Sequence, residues 1–160
     1  MSEKKNNGAV LVLGGGVAGI HAALQLADEG YYVYLVEKKS TIGGMMPQLS
    51  RTFGECFCCK IYPQAYGCLW NPNIEILTLS EVEKIDGKAG NFTVTVNQKP
   101  RFVNEAVCSA CGKCASVCPV EVSDEAAFQS EKRKAIYIEH PFAVPMTYAV
   151  DADNCSFIKD

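Results

Sequence analysis

No run of apolar residues in this 160-residue chain is long enough to cross a bilayer; stretches such as Ala9–Leu13 are far too short. Residues 1–8, MSEKKNNG, carry a basic touch but no apolar core behind it, so no signal peptide is expected. Basic residues form no long run and the net charge is −3, which excludes the electrostatic footprint of a nucleic-acid binder. Internal repeats and low-complexity tracts are absent. So are a Ser/His/Asp arrangement and paired carboxylates suited to acid–base work. The two histidines offer no substitute. His21 begins a helix beside Gly19 and Ile20, where packing or solvent contact accounts for it, and His140 lies in a proline-flanked loop without an evident partner.

What is there is globular: 48% apolar and 21% charged residues, at a length that suits one ordinary domain or one and a half small ones. Cysteine is the outlier. Nine are present, at 56, 58, 59, 68, 108, 111, 114, 118 and 155, and eight of them fall in two tight groups. An odd number with no secretion signal points to metal or redox chemistry in a cytoplasmic setting rather than to structural disulfides. A buried inert thiol would explain Cys68 but not a periodic run of four.

Residues 9–37 read as strand, glycine turn, helix, strand. The continuous apolar run AVLVL (9–13) predicts a strand buried on both faces. GGGVAG (14–19) is the turn. IHAALQLADEG (20–30) is the helix, with Ala22, Ala23, Leu24, Leu26 and Ala27 mostly inward and Gly30 stopping it. YYVYLVE (31–37) is the second strand. Residues 38–72 are rich in Gly, Pro and Cys and are expected to be irregular and functional. Strands are predicted at 74–78, 81–86 and 91–96, the last two joined by the turn-forming DGKAGN. Lys99-Pro100 is the candidate boundary between a module of residues 1–99 and a second of residues 100–160, in which KAIYIE (134–139) is a possible strand.

Gly14, Gly16 and Gly19 form G-x-G-x-x-G between strand and helix, and the acid Glu37 follows 18 residues after the last glycine. The first glycine permits the tight turn and the second lets backbone approach a pyrophosphate. The third allows close helix–strand packing, while the helix N-terminus favours phosphate charge. Glu37 would accept hydrogen bonds from ribose hydroxyls. The candidate cradle therefore comprises Gly14, Gly16, Val17, Ala18, Gly19 and Glu37. Lys38, the pair Gly43-Gly44, Met45 and Val82 stand beside it. An acid followed by that glycine pair resembles flavoproteins of the glutathione-reductase and thioredoxin-reductase type, which favours FAD over NAD. Three strands cannot complete a doubly wound sheet, so the N-terminal module reads as the front half of a flavin domain.

Cys108, Cys111, Cys114 and Cys118 form C-x2-C-x2-C-x3-C-P, the run that ligates [4Fe–4S] clusters; four-thiolate zinc sites seldom use this spacing. In two-cluster ferredoxins the fourth cysteine of such a run serves the other cube. Cys155 looks like the opening residue of the second run, and the rest of that run is not in the chain. In FGECFCCKIYP (53–63) Cys56 and Cys59 make a C-x2-C, with Cys58 between them. Three readings stay open: a redox dithiol beside the flavin, two ligands of a further cluster, or inert loop thiols. Trp70, Tyr62 and Tyr66 read as cover for this loop, and Met45 and Met46 as hydrophobic fill.

Taken in order, the segments LVLGGGVAGIHAALQLADEGYYVYLVEK, IGGMM, NPNIEILTLSEVEKIDGKAGNF, CSACGKCASVCPVEV, RKAIYI, AVP and DADNC resemble the A-subunit family of heterodisulfide reductase, from methanogens and anaerobic bacteria. The chain departs from the family's usual pattern at Asn71, where His is usual, at EHPFAVP (139–145) and in the crowded CFCC (56–59). The resemblance implies an α/β architecture: a Rossmann-type, glutathione/thioredoxin-reductase-like FAD-binding half-domain followed by an α+β ferredoxin-like [4Fe–4S] module. It implies an oxidoreductase subunit that passes electrons between FAD and [4Fe–4S] clusters, with flavin-based bifurcation in the complete protein. It further implies that Cys56 and Cys59 help hold a third cluster. The implied partners are the other subunits of such a complex, including a chain supplying the other flavin-domain half and the remaining cluster ligands. Hydrogenase or formate dehydrogenase and ferredoxin are the implied electron-exchange partners. The contrasting expectation is a truncated iron–sulfur adaptor that docks in a reductase complex without flavin.

Overall fold

The computed structural model describes residues 8–49, 57–124 and 132–159. Two compact units divide the chain, Met1–Pro100 and Arg101–Asp160.

In the first unit, β1 (Ala9–Leu13), β2 (Tyr32–Val36) and β3 (Ile74–Leu77) form a parallel sheet in the order β1-β2-β3. Val10 lies opposite Val33, and Val33 opposite Ile74. The central strand carries the core: Val33, Leu35 and Val36 are buried, whereas Tyr34, on the face opposite Val33 and Leu35, is exposed. The apolar run of β1 predicted burial on both faces. It is instead half-exposed, because it forms the sheet's edge and pairs with no outer strand among the described residues.

Helix α1 (Val17–Asp28) begins three residues before the expected Ile20. Gly16 is its N-cap, so Gly19 falls inside the first turn. Its buried stripe is Ile20, Ala23 and Ala27, at i, i+3 and i+7; Ala22, expected inward, is exposed. Gly30 ends the helix as anticipated, at φ +90° with its N–H on the Ala27 carbonyl.

The region expected to be irregular contains a second helix, α2 (Phe57–Trp70). Pro63 lacks a donor and Gly67 is a poor helix former, so local propensity argues against a helix here. Packing prevails. Ile61, Ala65 and Cys68 are all buried at i, i+4 and i+7. Gly67 lies flat against α1, where an added Cβ would stand 3.5 Å from Leu24 Cδ2.

β4 (Ser80–Lys88) and β5 (Asn91–Gln98) form an antiparallel hairpin longer than predicted, with a register shift between Val82 and Lys84. In the second unit, α3 (Lys113–Val117) precedes β6 (Glu121–Ser123), which pairs with β7 (Lys132–Lys134). β8 (Ile136–Tyr137) pairs with β9 (Ala149–Val150), and α4 (Ser156–Lys159) follows. The single strand expected at 134–139 is thus two. They part at buried Ala135, whose N–H donates to Val120 and whose carbonyl accepts from Asp151. β7 and β8 serve different partners, so the backbone must turn between them.

Candidate functional site

The glycine turn is held from three sides. Gly14 N–H donates to the Val36 carbonyl at 2.8 Å, fixing the turn to the end of β2. Glu37 Oε2 accepts the Gly15 N–H at 2.7 Å, while Oε1 accepts the Lys39 N–H at 2.8 Å. From above, Gly43 N–H donates to the Gly15 carbonyl at 2.7 Å, and Ile42 packs on Gly15. A Cβ on Gly44 would lie 3.0 Å from the Gly16 Cα, so the glycine pair and the glycine turn meet backbone to backbone. Glu37 does more than the sequence implied. It braces the turn, and each carboxylate oxygen keeps a further acceptor direction.

The glycines have different causes. A Cβ on Gly19 would strike the Gly14 carbonyl oxygen, so packing demands glycine there. Gly16 is another matter: its φ of −75° suits any residue, and nothing lies within 4 Å of where its Cβ would be. The open space lies at the N-terminus of α1, whose cap makes no side-chain hydrogen bond and whose first turn has no acid. Free N–H groups, a favourable dipole and vacant volume fit a pyrophosphate.

Leu13, Val17 and Met45 rim this turn in sequence and all are exposed, Met45 at 59%. Met45 is therefore not the hydrophobic fill expected of it. Lys38 is exposed and pairs with Glu81 at 3.3 Å, and Ser80 N–H donates to the Glu37 carbonyl, which anchors the start of β4 beside the acid. Half-buried Val82 lies two residues further along that strand.

In the second unit, Cys108, Cys111 and Cys114 act electrostatically on one phenol, whose Oη lies 3.4 Å from where a Cβ on Gly112 would stand. The Tyr148 phenol is pushed up from its ordinary value by burial first, then by the thiolates of Cys114, Cys111 and Cys108. The Cys111 thiol is held below its usual range by the Lys113 N–H foremost, then by the Ser109 hydroxyl. At Cys118 burial opposes ionisation, but donors at Ile136, Val120 and Ala135, with the Lys134 charge, outweigh it and lower the thiol. Cys155 is tied to the same corner, since its N–H donates to the Asp151 carbonyl at 2.9 Å and Asp151 N–H donates to Ala135. Among the described residues no three His, Cys, Asp or Glu side chains converge on one ion position. A [4Fe–4S] cube takes one thiolate per iron, so its ligands need not meet at a point.

Residues 9–69 match the family model for FAD-dependent oxidoreductases, and residues 101–122 that for 4Fe–4S binding domains. The iron-sulfur A-subunit of CoB–CoM heterodisulfide reductase from Methanocaldococcus jannaschii is 48% identical over 91% of this chain and 22% of its own length. The first of two A-subunits of the same reductase from Methanopyrus kandleri is 49% identical over 89% of the chain and 22% of its length. The chain belongs to the heterodisulfide reductase A-subunit family. It spans about a fifth of the length of the curated relatives it matches. FAD and [4Fe–4S] clusters are the cofactors of its two matched segments. L-Proline dehydrogenase from P. horikoshii, a solved structure, aligns over 59% of this chain and 20% of its own, with 25% identity and a TM-score of 0.47.

Other family positions are placed as follows. Asn71 shapes the turn into β3: its Oδ1 accepts the Asn73 N–H at 2.9 Å and its carbonyl accepts from Ile74. Cys68 is a buried core thiol, pushed up to about 11 by burial. Cys59 lies exposed in the first turn of α2, and Cys56 lies outside the described residues. Trp70 is not the cover expected of it. It stacks on Tyr66 at 5.3 Å between ring centroids and stays 75% exposed. Sequence reasoning missed Tyr148, whose hydroxyl lies against Gly112 of the cysteine run; its distance along the chain left no spacing signal.

Proposed function

We propose that the chain is the flavin-and-cluster portion of a heterodisulfide-reductase-like oxidoreductase, passing electrons between FAD and [4Fe–4S] clusters within a multi-subunit complex. The observation that carries this reading is Gly16, a glycine that neither backbone conformation nor packing requires, on the same chain as the four-cysteine run. When bound, the flavin exchanges electrons singly or in pairs and the clusters carry them one at a time.

In this reading the N–H groups of Val17 and Ala18 face the pyrophosphate across Gly14, Gly16 and Gly19. Glu37 receives the ribose hydroxyls on the acceptor directions that Gly15 and Lys39 leave open. Lys38 and Val82 flank the acid at the ribose end, and Gly43, Gly44 and Met45 lie beside the glycine turn. Cys108, Cys111 and Cys114 hold one cube. Cys118 and Cys155 contribute to its neighbour, and Cys56 and Cys59 to a third centre completed from elsewhere. The partners are the other subunits of the complex, with ferredoxin and a hydrogenase or formate dehydrogenase as electron sources or acceptors.

Anaerobic purification followed by iron, acid-labile sulfide, zinc and flavin analysis tests this. Iron and sulfide with little zinc, and FAD bound at least in the presence of the remaining family segments, are expected. Stoichiometric zinc without sulfide, or no FAD binding even with those segments added, would overturn it. The second reading, a cluster-binding adaptor without flavin, draws on the outer side of β1, which pairs with no strand among the described residues, and on the exposed Tyr34. It predicts iron and sulfide with no flavin under any of these conditions.

A further inference from the structure

Tyr148 lies just before β9, half-buried, 40 residues after Cys108. Its hydroxyl reaches back over the cysteine loop, so that a Cβ built on Gly112 would stand 3.4 Å from the Tyr148 Oη. Gly112 has φ +79° and caps α3, which places it between Cys111 and Cys114 at the point where the loop turns inward. Glycine is needed there for the backbone conformation, and the missing side chain also leaves the phenol its approach. Pairing of Tyr137 with Ala149 holds the strand that carries Tyr148. On the other flank, the buried Arg101 donates from Nη1 to the Thr147 carbonyl at 3.2 Å. The strand is thus held at residues 147 and 149, and the O–H end of the ring lies against Gly112, which stands between Cys111 and Cys114 in the chain.

We propose that the Tyr148 hydroxyl donates a hydrogen bond into the sulfur shell of the cube held by Cys108, Cys111 and Cys114, and so raises that cluster's reduction potential. The proposal rests on the ligand assignment made above. A phenol is a donor at neutral pH. Reduction adds negative charge to the cube, so an O–H dipole aimed at it stabilises the reduced form more than the oxidised one. Hydrogen bonds to the sulfurs are among the protein's means of setting cluster potentials. Tyr148 is in this sense a positioning and tuning residue and not a ligand.

The test compares wild type with Tyr148→Phe, which keeps the ring and its shielding of the loop but removes the O–H. The full chain is prepared anaerobically with reconstituted clusters and assembled with its partner segments. Iron and sulfide are counted, and the clusters are titrated potentiometrically with paramagnetic-resonance detection. Loss of a signal in Cys111→Ser identifies the cube in question. The Phe variant should retain full iron and sulfide, and the midpoint of that signal should move negative by about 59 mV, a tenfold shift in the one-electron equilibrium. The Cys118-dependent signal should stay in place. One exchangeable proton coupled to the reduced cube should also disappear. An unchanged or positive midpoint, or an equal shift of both signals, would overturn the proposal alone. Wild type without iron and sulfide would overturn the ligand assignment and the proposal with it.

Discussion

Gly16 and Gly19 belong to one motif and answer to opposite demands. At Gly19 a methyl group would drive into the Gly14 carbonyl, so Gly19→Ala should cost stability directly, about 1–3 kcal/mol as in other overpacked sites. Its melting temperature should fall whether or not flavin is present. At Gly16 there is room for a side chain within the protein. Gly16→Val should leave the apo melting temperature within a degree or two of wild type, yet lower FAD affinity by more than tenfold, about 1.4 kcal/mol. Calorimetry and flavin titration on the two variants separate the roles; equal FAD affinity in Gly16→Val would refute the phosphate contact. Cys68 gives a second test at this scale. Its thiol titrates at about 11 in the fold, against an ordinary value of 9.0. The folded state therefore binds the proton more tightly than the unfolded chain does. The stability this confers is fully present below pH 9 and is lost as pH rises toward 11, about 2–3 kcal/mol in all. Urea midpoints should fall between pH 8.5 and 11 more steeply in wild type than in Cys68→Ala; parallel slopes would remove Cys68 as the cause.

Elements were legible where one signal dominated. β1, the glycine turn, α1 and β2 follow from an apolar run, three glycines and a helical stripe, and they lie where the sequence places them to within a few residues. α2 was hidden because Pro63 and Gly67 mark a loop locally. Only the tertiary placement of Ile61, Ala65 and Cys68 against α1 and the sheet makes the helix stable. The break at Ala135 was hidden for a related reason, since it reflects a change of partner strand that alternation along one segment does not encode. The ligand spacing at 108–118 was plain, but the phenol that lies against Gly112 was not, because Tyr148 arrives from a distant segment. The segment that carries Cys155 depends on one ion pair. Arg133 Nη2 meets Asp151 Oδ2 at 3.0 Å, both half-buried, and Arg133 also stacks over the Tyr137 ring at 3.8 Å from its centroid. The Asp151 carboxylate also accepts from the Asn154 amide, while its backbone carbonyl, which substitution keeps, accepts the Cys155 N–H. Asp151→Ala removes a charge-assisted bond worth about 1.5–3 kcal/mol. It should lower the melting temperature of the second unit and destabilise the Cys155-dependent centre while sparing the signal that depends on Cys111. A variant with both signals intact would show that the strap is dispensable.

At the scale of the whole molecule the cysteines divide by spatial neighbourhood and not by position in the sequence. Cys114 and Cys118 are only four residues apart, yet they face different surroundings. Cys108, Cys111 and Cys114 all bear electrostatically on Tyr148. The Cys118 thiol turns instead to the amides of 120, 135 and 136 and to Lys134, the corner to which Asp151 ties Cys155. Helix α3 lies between Cys111 and Cys118 and supplies the change of direction, for its last turn ends at Cys118, where the backbone becomes extended with ψ 121°. Two-cluster ferredoxin logic gives the same division. In the assembled complex, then, Cys111→Ser should remove or convert one cluster signal and leave its neighbour, and Cys118→Ser should do the reverse. Cys59→Ser should leave both untouched, since Cys59 stands outside the 108–118 run and the Cys155 segment. Paramagnetic-resonance spectra of the three single variants, recorded at matched iron content, decide the matter. If Cys111→Ser and Cys118→Ser erase the same signal, the four cysteines close a single self-contained cube, and the separation of their surroundings has no bearing on the ligand set.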